Sequence, residues 1–562
     1  DDYTILQAAK QVNIEIPSLC YLKDINVIGA CRVCVVEVKG KPGLVASCVY
    51  PVAEGMEVFT NTPAIRTSRK TTIELILSSH QKKCLSCVRG NNCELQKLAF
   101  DYGVDEDRFA EEEIEYKIDD QSPYIVRDNN KCILCRRCTA ACQNVQAISV
   151  IGIVQRGYKS HVSPAFERSL NDAPCVGCGQ CVVACPVGAL NEKSNIDEVW
   201  DAIADPSKQV IFFTAPSIKA TLGECFNLPI GTNVEGKMVN AIRRLGANKV
   251  FNMDIAADLT IMEEATEFIQ RVKNKGVLPL ITSCSPGWVK FCEHYYPEFI
   301  PNLSTCRSPQ QMFGAVLKTY YCQKYNLNPE DLFVVSVIPC TAKKFEAQRE
   351  EQKLFGLQDV DAALTTRELG KMIKGAGIKF VDLPDEAFDN PFETASGAGA
   401  IFGATGGVME AALRTAGHLL DGDFEKTDFK EVRGTDGVKE AAYTVAGMKI
   451  NVAVASGLAN ARKVLESVKS GEKQYHFIEI MSCPGGCING GGQPCQSDSV
   501  RNYVDIKTLR AKALYDYDKK MPIRKSHESP VIKMLYDEFF DAPGKPRAHK
   551  ILHTTYVKRN KF

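Results

Sequence analysis

Short apolar runs alternate with amphipathic stretches from about residue 205 onward. Three six-residue runs, QVIFFT, VFNMDI and FVVSVI, begin at Gln209, Val250 and Phe333. Apolar runs of this length without polar alternation are typical of strands that are buried on both faces. Their alternation with helical stretches predicts an α/β domain with mainly parallel strands, whose functional loops leave the strand ends.

The stretch TIMEEATEFIQR, from Thr260, predicts a helix. A helix would place Glu264, Glu267 and Arg271 on one stripe, at positions i, i+3 and i+7. Such a stripe is ordinarily an exposed face of ion pairs. The pattern alone therefore assigns these three side chains no function.

The composition is that of a globular chain with several domains. Its 562 residues are 45% hydrophobic and 24% charged, which allows at least one large core. The 68 Lys and Arg residues balance 68 Asp and Glu residues, so no nucleic-acid or anionic-membrane partner is expected. No apolar run approaches the roughly 20 residues of a membrane span, and the opening DDYT has no secretion-signal pattern. We therefore expect a cytoplasmic protein with 24 cysteines, of which the closely spaced groups bind metal rather than form disulfides.

Two groups of ligand-type residues lie near the start of the chain. The first, spaced C-x10-C-x2-C-x13-C around the segment GACRVCVVEV, predicts a 2Fe-2S centre of ferredoxin type with the ligands Cys20, Cys31, Cys34 and Cys48. The second, spaced H-x3-C-x2-C-x5-C, comprises His80, Cys84, Cys87 and Cys93. On spacing alone, zinc and a 4Fe-4S cluster are equally good interpretations of the second group. The flanking cluster motifs favour iron.

Two further runs, KCILCRRCTAAC and PCVGCGQCVVACP, share the spacing C-x2-C-x2-C-x3-C of bacterial two-cluster ferredoxins. In that arrangement each 4Fe-4S cubane takes three cysteines from one run and the last from the other. The expected ligands of one cluster are Cys132, Cys135, Cys138 and Cys185. Those of the other are Cys142, Cys175, Cys178 and Cys181. Ahead of these runs, the acidic stretch DEDRFAEEEIEY, from Asp105, predicts a solvated linker.

Other cysteines of interest follow strand-like runs in the second part: Cys284, Cys340, Cys483 and Cys487. The glycines of EIMSCPGGCINGGGQP would let the backbone approach a bulky inorganic group. No phosphate-loop lysine follows, and SGAGAIFG, from Ser396, lacks the dinucleotide spacing, so no nicotinamide or flavin site is predicted. Five cysteines without cluster spacing are predicted to be buried structural thiols: Cys225, Cys292, Cys306, Cys322 and Cys495.

The segments TSCSPGW, IPCTAKKFE and EIMSCPGGC, from Thr282, Ile338 and Glu479, resemble the three signature motifs of the iron-only (FeFe) hydrogenases. The order of the cluster motifs is similar to that of the long, four-cluster form, and the resemblance extends through the final AHKILHTTY. It implies a multidomain α+β and α/β protein, with ferredoxin-like iron-sulfur domains followed by a large α/β H-cluster domain. The implied domains are 1–63 (2Fe-2S), 64–112 (His/Cys3 cluster), 113–200 (two 4Fe-4S clusters) and 201–562 (H-cluster).

The resemblance also implies the cofactors: one 2Fe-2S cluster, three accessory 4Fe-4S clusters and an H-cluster. The H-cluster is a 4Fe-4S cubane joined through a cysteine sulfur to a di-iron subsite with CO, cyanide and azadithiolate. Cys340, Cys483 and Cys487 match cubane ligands, with Cys487 in the bridging position. Lys343 matches a lysine that donates a hydrogen bond to a cyanide. Residues that match the pocket around the subsite are Ala215, Pro216, Ser217, Gln310 and Met481.

One position departs from the family pattern. The family has two adjacent cysteines in the places of Cys284 and Ser285, the first carrying protons and the second binding the cubane. An alignment without gaps as far as Cys340 places Cys284 at the position of the proton carrier and Ser285 at the position of the cubane ligand. Iron in such clusters prefers a thiolate, and adjacent Cα atoms are only about 3.8 Å apart. We therefore favour a loop shift that lets Cys284 bind the cubane and Ser285 relay protons; an alkoxide ligand is the alternative.

The resemblance gives the charged stripe a role as well. Glu264, Glu267 and Arg271, with Ser304 and the Cys284/Ser285 pair, match the family's proton channel. Carboxylates in apolar surroundings have raised pKa values and can hand protons on. The implied activity is the reversible combination of protons and electrons into dihydrogen.

The implied partners are ferredoxin, flavin- and NAD-binding subunits of an electron-bifurcating complex, and maturation proteins for the di-iron subsite. One alternative is a stand-alone hydrogenase that is served by ferredoxin. Another is a hydrogen sensor with little turnover, or a cluster-assembly relative.

Overall fold

The structure is a computed structural model that describes residues 3–109, 114–421, 425–445 and 447–561. The chain divides into two compact units. Unit 1 comprises Asp1–Cys175, Gln180–Lys193 and Cys495–Val504, and unit 2 comprises Val176–Gly179, Ser194–Pro494 and Asp505–Phe562. Residues 110–113 of the predicted acidic linker lie outside the described residues. Among the described helices, none has both the length and the apolar character needed to cross a membrane.

The helices and strands up to residue 193 are α1 (Ile5–Gln11), β1 (Val35–Val38), β2 (Leu44–Ala46), β3 (Val58–Phe59), α2 (Pro63–Leu77), α3 (Glu94–Asp101), β4 (Ile125–Arg127), α4 (Arg137–Ala140), β5 (Ile151–Val154), β6 (His161–Pro164), α5 (Gln180–Ala184) and β7 (Leu190–Glu192).

The later ones are α6 (Ile196–Ala204), β8 (Gln209–Thr214), α7 (Ile218–Thr221), α8 (Glu235–Leu245), β9 (Lys249–Asn252), α9 (Asp254–Lys273), β10 (Leu280–Ile281), α10 (Pro286–Tyr295), α11 (Pro309–Val316), α12 (Cys322–Tyr325), β11 (Leu332–Val337), α13 (Ala342–Glu346), β12 (Ala362–Leu364), α14 (Thr366–Gly375), α15 (Gly397–Ala400), α16 (Gly407–Asp421), β13 (Val438–Val445), β14 (Met448–Ser456), α17 (Leu458–Lys469), β15 (Phe477–Met481), α18 (Asp498–Arg501), α19 (Ile506–Lys520), α20 (Pro530–Leu535) and α21 (Pro546–Leu552). Helix α18 belongs to unit 1.

Unit 1 is built from small antiparallel sheets. The first has the order β2-β1-β3, and two-stranded sheets pair β4 with β7 and β5 with β6. Helix α1 begins at a capping box in which Thr4 and Gln7 satisfy each other's backbone N–H groups. Its buried Ile5 and Leu6 pack with Val36 in a small core. As the sequence predicts, the loop of the first cysteine group leads directly into β1.

Unit 2 contains a parallel sheet with the order β12-β11-β8-β9. The run QVIFFT coincides with β8, and only its first residue is exposed. The prediction of parallel strands buried on both faces is thus confirmed. The run VFNMDI is a strand only up to Asn252, because Asp254 begins α9 and pairs with the buried ammonium of Lys219 at 2.8 Å.

A second sheet of unit 2 has the order β10-β15-β14-β13. Strands β10, β15 and β14 are parallel, and β13 runs antiparallel to β14. Carboxyl ends of parallel strands present their loops at one edge of a sheet. The loops after β10, β11 and β15 carry Cys284, Cys340 and Cys483.

Helix α9 is enclosed by other helices of unit 2. It packs against α11, α15 and α16, and most of its 20 residues are buried. The predicted helix is confirmed, and Glu264, which is 2% exposed, does not lie on an exposed face of ion pairs. Burial follows because helices cover the helix on several sides.

Candidate functional site

The first cysteine group converges in unit 1. The backbone N–H of Cys31 lies 3.5 Å from the sulfur of Cys20. Hydrogen bonds from the thiols of Cys31 and Cys48 lower the pKa of Cys20, and a hydrogen bond from Cys48 lowers the pKa of Cys34 to about 7. Four thiols this close fit the donor set of a 2Fe-2S cluster.

The second group also converges, around one cavity of unit 1 that His80, Cys84, Cys87 and Cys93 line together. Burial lowers the pKa of His80 to about 4, so its imidazole is neutral at pH 7. Its Nδ1 atom is buried without a hydrogen-bond partner, as a metal-binding nitrogen would be. A Cβ at Gly188 would lie 2.5 Å from the sulfur of Cys87, so glycine is needed beside this site. These observations fit a group with three thiolates and one imidazole.

The third predicted set lines a single cavity of unit 1, and its members are Cys132, Cys135, Cys138 and Cys185. Burial raises the pKa of Cys138 well above 9, and the charges of Cys135 and Cys132 raise it further. Thiolates packed together away from water need a cationic partner. An iron-sulfur cluster would supply it.

Three members of the fourth set lie together in unit 1. Burial raises the pKa of Cys181 well above 9, and the charges of Cys175 and Cys142 raise it further. The remaining predicted ligand, Cys178, lies in the short segment Val176–Gly179 that groups with unit 2.

Within unit 2, the loop with Cys178 contacts loops of the candidate catalytic centre. The sulfur of Cys483 lies 4.0 Å from the carbonyl oxygen of Cys178. A Cβ at Gly179 would lie 2.5 Å from the hydroxyl oxygen of Thr341 and 2.8 Å from Gly491 Cα. Glycine at position 179 is therefore required for this close approach.

The thiols of Cys340, Cys483 and Cys487 lie on the loops after β11 and β15. Burial raises the pKa of Cys487 to about 12, the charge of Cys340 raises it, and that of Lys343 lowers it. A Cβ at Gly490 would lie 2.2 Å from the carbonyl oxygen of Pro339. The glycines thus serve first to pack the Cys487 loop against the Cys340 loop. The donor set fits three thiolate ligands of a cubane.

The predicted pocket residues surround these loops and are buried. The ammonium of Lys343 donates to Glu346 Oε2 at 2.6 Å. The hydroxyl of Ser336 donates to Gln310 Oε1 at 2.9 Å, and the amide of Gln493 donates to Ser217 Oγ at 3.3 Å. Ala215, Pro216 and Met481 contribute apolar surface.

The Cys284/Ser285 pair lies on the loop between β10 and α10. Burial raises the pKa of Cys284 well above 9, and Glu264 and Cys487 add to the rise. The hydroxyl of Ser285 lies 2.8 Å from that of Ser482, the neighbour of Cys483, and accepts from the N–H of Ser482 at 3.2 Å. Ser285 lies immediately before α10 and is held by Ser482, and the exchange of roles between Cys284 and Ser285 stays a prediction.

The predicted proton-channel residues form a connected series. Arg271 Nη2 donates to Glu267 Oε1 at 2.6 Å, and the hydroxyl of Ser304 donates to Glu267 Oε2 at 2.9 Å. Burial raises the pKa of Glu264 to about 8, and the charge of Glu267 adds to the rise, while a hydrogen bond with Ser304 opposes it. Glu264 in turn acts on Cys284. Hydrogen bonds thus link the partly exposed Arg271 to Glu267 and Ser304, and the buried Glu264 acts through its charge on the thiol of Cys284.

Several polar residues of this region were missed from the sequence. Glu479 is fully buried and accepts from the N–H groups of Gly406 and Met409 at 2.6 Å and 2.7 Å. The position of Glu479 within the apolar run FIEIM was the sign in the sequence that this glutamate is buried. Four of the five cysteines without cluster spacing are buried as predicted, whereas Cys225 is only partly buried.

Family models match most of the chain. The model described as the iron only hydrogenase large subunit, C-terminal domain, matches residues 208–491, and the iron hydrogenase small subunit matches 504–559. Three iron-sulfur models match earlier residues: a 2Fe-2S cluster binding domain (1–63), an NADH-ubiquinone oxidoreductase-G iron-sulfur binding region (69–108) and a 4Fe-4S dicluster domain (131–189).

Relatives match along the whole length. The NADP-reducing hydrogenase subunit HndD of Solidesulfovibrio fructosivorans is 48% identical, over 100% of this chain and 97% of that protein. Iron hydrogenase 1 of Clostridium pasteurianum is 45% identical, over 99% of this chain and 98% of that protein. A solved apo FeFe-hydrogenase from Chlamydomonas reinhardtii is 38% identical, with a TM-score of 0.59, over 65% of this chain and 99% of that one.

Proposed function

The chain belongs to the iron-only (FeFe) hydrogenase family, and we propose that it reversibly combines two protons and two electrons into dihydrogen at an H-cluster held by Cys340, Cys483 and Cys487. The observation that carries this proposal is the hydrogen-bonded group of Arg271, Glu267 and Ser304, together with the buried Glu264, in the same unit as the three candidate cubane cysteines. Proton delivery to a buried group of thiols is what such an enzyme requires.

When bound, the H-cluster supplies the redox chemistry between protons and dihydrogen, with a di-iron subsite that bears CO, cyanide and azadithiolate. The protein residues orient and tune it. The thiolates of Cys340, Cys483 and Cys487 would hold the cubane. The ammonium of Lys343, oriented by Glu346, would donate to a cyanide. The buried pocket residues would exclude water; they are Ala215, Pro216, Ser217, Gln310 and Met481.

Protons would enter at Glu267 and reach Cys284 by way of Ser304 and Glu264. The pKa of Glu264, about 8, keeps this carboxyl protonated at pH 7, so it can donate to a group that has lost its proton. The ion pair of Arg271 with Glu267 would hold the carboxylate in place for Ser304. Each transfer would then need only a short movement of a proton.

We assign the carrier role to Cys284 and the place of the fourth cubane ligand to Ser285. The contacts of Cys284 with the charge of Glu264 and of Ser285 with Ser482 support this assignment over the exchanged one. With an oxygen ligand, this cubane would have three thiolates and one weaker donor in place of four thiolates.

Electrons would pass through one 2Fe-2S and three 4Fe-4S clusters held by the cysteine groups of the first two hundred residues. The contact of Cys483 with the backbone of Cys178 supports the last step, because electron transfer needs closely spaced centres. The match of residues 69–108 to an iron-sulfur binding region favours iron over zinc at His80.

For the electron partner, we propose a hetero-oligomeric, electron-bifurcating complex that uses ferredoxin and a pyridine nucleotide bound to flavin-containing subunits. The support is the relative at 48% identity, whose name describes an NADP-reducing hydrogenase subunit. Affinity purification from native cells, followed by hydrogen-dependent reduction of NAD⁺ and NADP⁺, tests this. Co-purified flavoprotein subunits would support the complex, whereas isolation as a single chain that reduces ferredoxin alone would favour the stand-alone alternative.

The central experiment is infrared spectroscopy in the CO and cyanide stretching region on protein matured with the di-iron maturation proteins. Hydrogen evolution is measured on the same sample, with Cys340→Ala as the control that removes a cubane ligand. H-cluster bands with turnover in the wild type, and neither in the variant, are expected. Bands without turnover would favour the hydrogen sensor, and absence of bands after competent maturation would refute the proposal.

A further inference from the structure

We infer that Glu267, Cys306 and His553 form a binding site for a zinc-type divalent cation at the entrance of the proton route. One ligand atom from each side chain lies within 4.8 Å of the other two. Cys306 and His553 are buried, and Glu267 is partly buried. The three residues come from α9, from the loop before α11 and from the end of α21, so their meeting is a product of the fold.

The backbone fixes the approach of Cys306 to His553. These two residues form an isolated antiparallel bridge. The N–H of Arg307 donates to Leu552 O at 2.8 Å, and the N–H of Thr554 donates to Thr305 O at 2.8 Å. The two segments are therefore paired on both sides of the candidate ligands, which limits how far the ligands can separate.

The donor types are those that zinc selects. A thiolate, an imidazole and a carboxylate are all common zinc ligands, and three protein ligands leave one position for water. Zinc–ligand bonds of about 2.0–2.3 Å in a tetrahedral site place the ligand atoms roughly 3.5 Å apart. Small side-chain rotations would bring the three atoms to that spacing.

The surroundings of His553 have the arrangement that supports a metal-binding imidazole. Its Nε2 lies 3.1 Å from Glu263 Oε2, and Glu263 is itself held by the hydroxyl of Tyr536 at 2.6 Å and the N–H of Gly544 at 2.8 Å. A carboxylate that accepts a hydrogen bond from one ring nitrogen fixes the ring and makes the other ring nitrogen a stronger metal ligand. The other ring nitrogen, Nδ1, lies 2.8 Å from the hydroxyl of Thr305, which a metal bound at Nδ1 would displace.

The local charge favours a cation. The carboxylates of Glu267 and Glu263 act on the thiol of Cys306, and Glu264 adds its charge only where it is ionised, above about pH 8. The opposing charge is Arg271, which binds Glu267 Oε1 at 2.6 Å. Glu267 Oε2, which is 3.8 Å from the sulfur of Cys306, remains turned toward the proposed site. On binding, the S–H bond of Cys306 breaks, a sulfur–zinc bond forms and the proton leaves to solvent, with no change of oxidation state.

Zinc at this site would block proton entry, because Glu267 could no longer exchange protons with Ser304. This consequence rests on the proposed function, whereas the site itself does not. Binding and inhibition are therefore measured separately.

Binding is tested on the cluster-loaded protein with one equivalent of zinc chloride, followed by removal of unbound metal and zinc K-edge X-ray absorption. One sulfur at about 2.3 Å and two or three lighter ligands at about 2.0–2.1 Å are expected. Cys306→Ala should lose the sulfur shell, while Cys322→Ala, another buried thiol of unit 2, should keep it. Zinc that is not retained, or a sulfur shell that persists in Cys306→Ala, would overturn the site. If Cys306→Ala does not fold, His553→Gln should retain less zinc than the wild type after removal of unbound metal, whereas His294→Gln should retain as much; equal retention in both variants would overturn the site.

Inhibition is tested by hydrogen evolution with a strong reductant at increasing zinc, each variant being compared with its own zinc-free rate. Half-inhibition in Cys306→Ala should need at least about tenfold more zinc than in the wild type. A chelator should restore the rate while the iron-sulfur absorption stays unchanged. Equal inhibition of both proteins would overturn the block at this site. Zinc bound through Cys306 without loss of rate would support the site and refute the proposed proton route.

Discussion

Replacement of Glu264 by glutamine should remove proton delivery and at the same time stabilise the protein at alkaline pH. The pKa of this buried carboxyl rises from 4.5 to about 8, first through burial and then through the charge of Glu267. At about 1.4 kcal/mol for each pKa unit, ionising it inside the fold costs about 5 kcal/mol. Glutamine keeps the shape and cannot ionise, but it cannot release a proton either.

The sign of the pH dependence follows from proton binding. Between pH 4.5 and about 8 the folded protein holds this proton and the unfolded chain has lost it. The free energy of unfolding therefore falls as pH rises through this window, by about 5 kcal/mol in total from Glu264 alone. The advantage of Glu264→Gln over the wild type should grow over the same window and stay constant above it.

Hydrogen evolution by Glu264→Gln should fall by about 100-fold or more, the usual effect of losing a general acid–base group. Asp258→Asn is the matched control, since Asp258 is buried on the same helix with a pKa raised by burial to about 6, and its partners are Ser396 and Ser526. This variant should keep most of its activity. Thermal unfolding at pH 5 and pH 8.5 measures how the stability difference between the Glu264→Gln variant and the wild type changes with pH. An active Glu264→Gln enzyme, or a stability difference that is independent of pH, would refute the reasoning.

Three other substitutions test other parts of the structure. Ser304→Ala should reduce hydrogen evolution by about tenfold or more, because Glu267 loses the hydroxyl that donates at 2.9 Å. Ser304→Thr keeps a hydroxyl and should restore the rate. Similar rates in both variants would contradict the relay. Ser285→Cys should add a thiolate beside Ser482 and change the Mössbauer and electron paramagnetic resonance spectra of the cubane, and unchanged spectra would mean that Ser285 is not at the cluster. His80→Cys should lower the reduction potential of its cluster in a redox titration, because an imidazole ligand in place of a thiolate raises such potentials. Metal analysis of the wild type that finds zinc at this site would show that it is not an iron-sulfur site.

Much of the chemistry could be read from the chain because cluster ligands recur at short intervals. Cys132, Cys135 and Cys138 are brought to one cavity by a single local loop, so their spacing was sufficient to predict their meeting. The strands of the parallel sheet were also predictable, because burial on both faces demands continuous apolar runs such as QVIFFT.

The orientation of Cys284 and Ser285 could not be read in this way. The chemistry of iron ligands favours an exchange of their roles, which stays a prediction, and only the fold shows that Ser482, almost two hundred residues away, holds Ser285 by two hydrogen bonds. The sequence contains no sign of this contact. The glycines near Cys487 were likewise expected to face a cofactor, yet Gly490 is required by the carbonyl of Pro339.

The sequence by itself determined the ligand types, their local grouping and the helix that carries Glu264, Glu267 and Arg271, because each of these depends on neighbours within a few turns or loops. Only the tertiary structure decided that Glu264 is buried and that Glu267 meets Cys306 and His553. The physical reason is that burial and the convergence of distant side chains depend on which elements pack together. The pKa of Glu264 is raised by that packing, and a period of 3.6 residues cannot encode it.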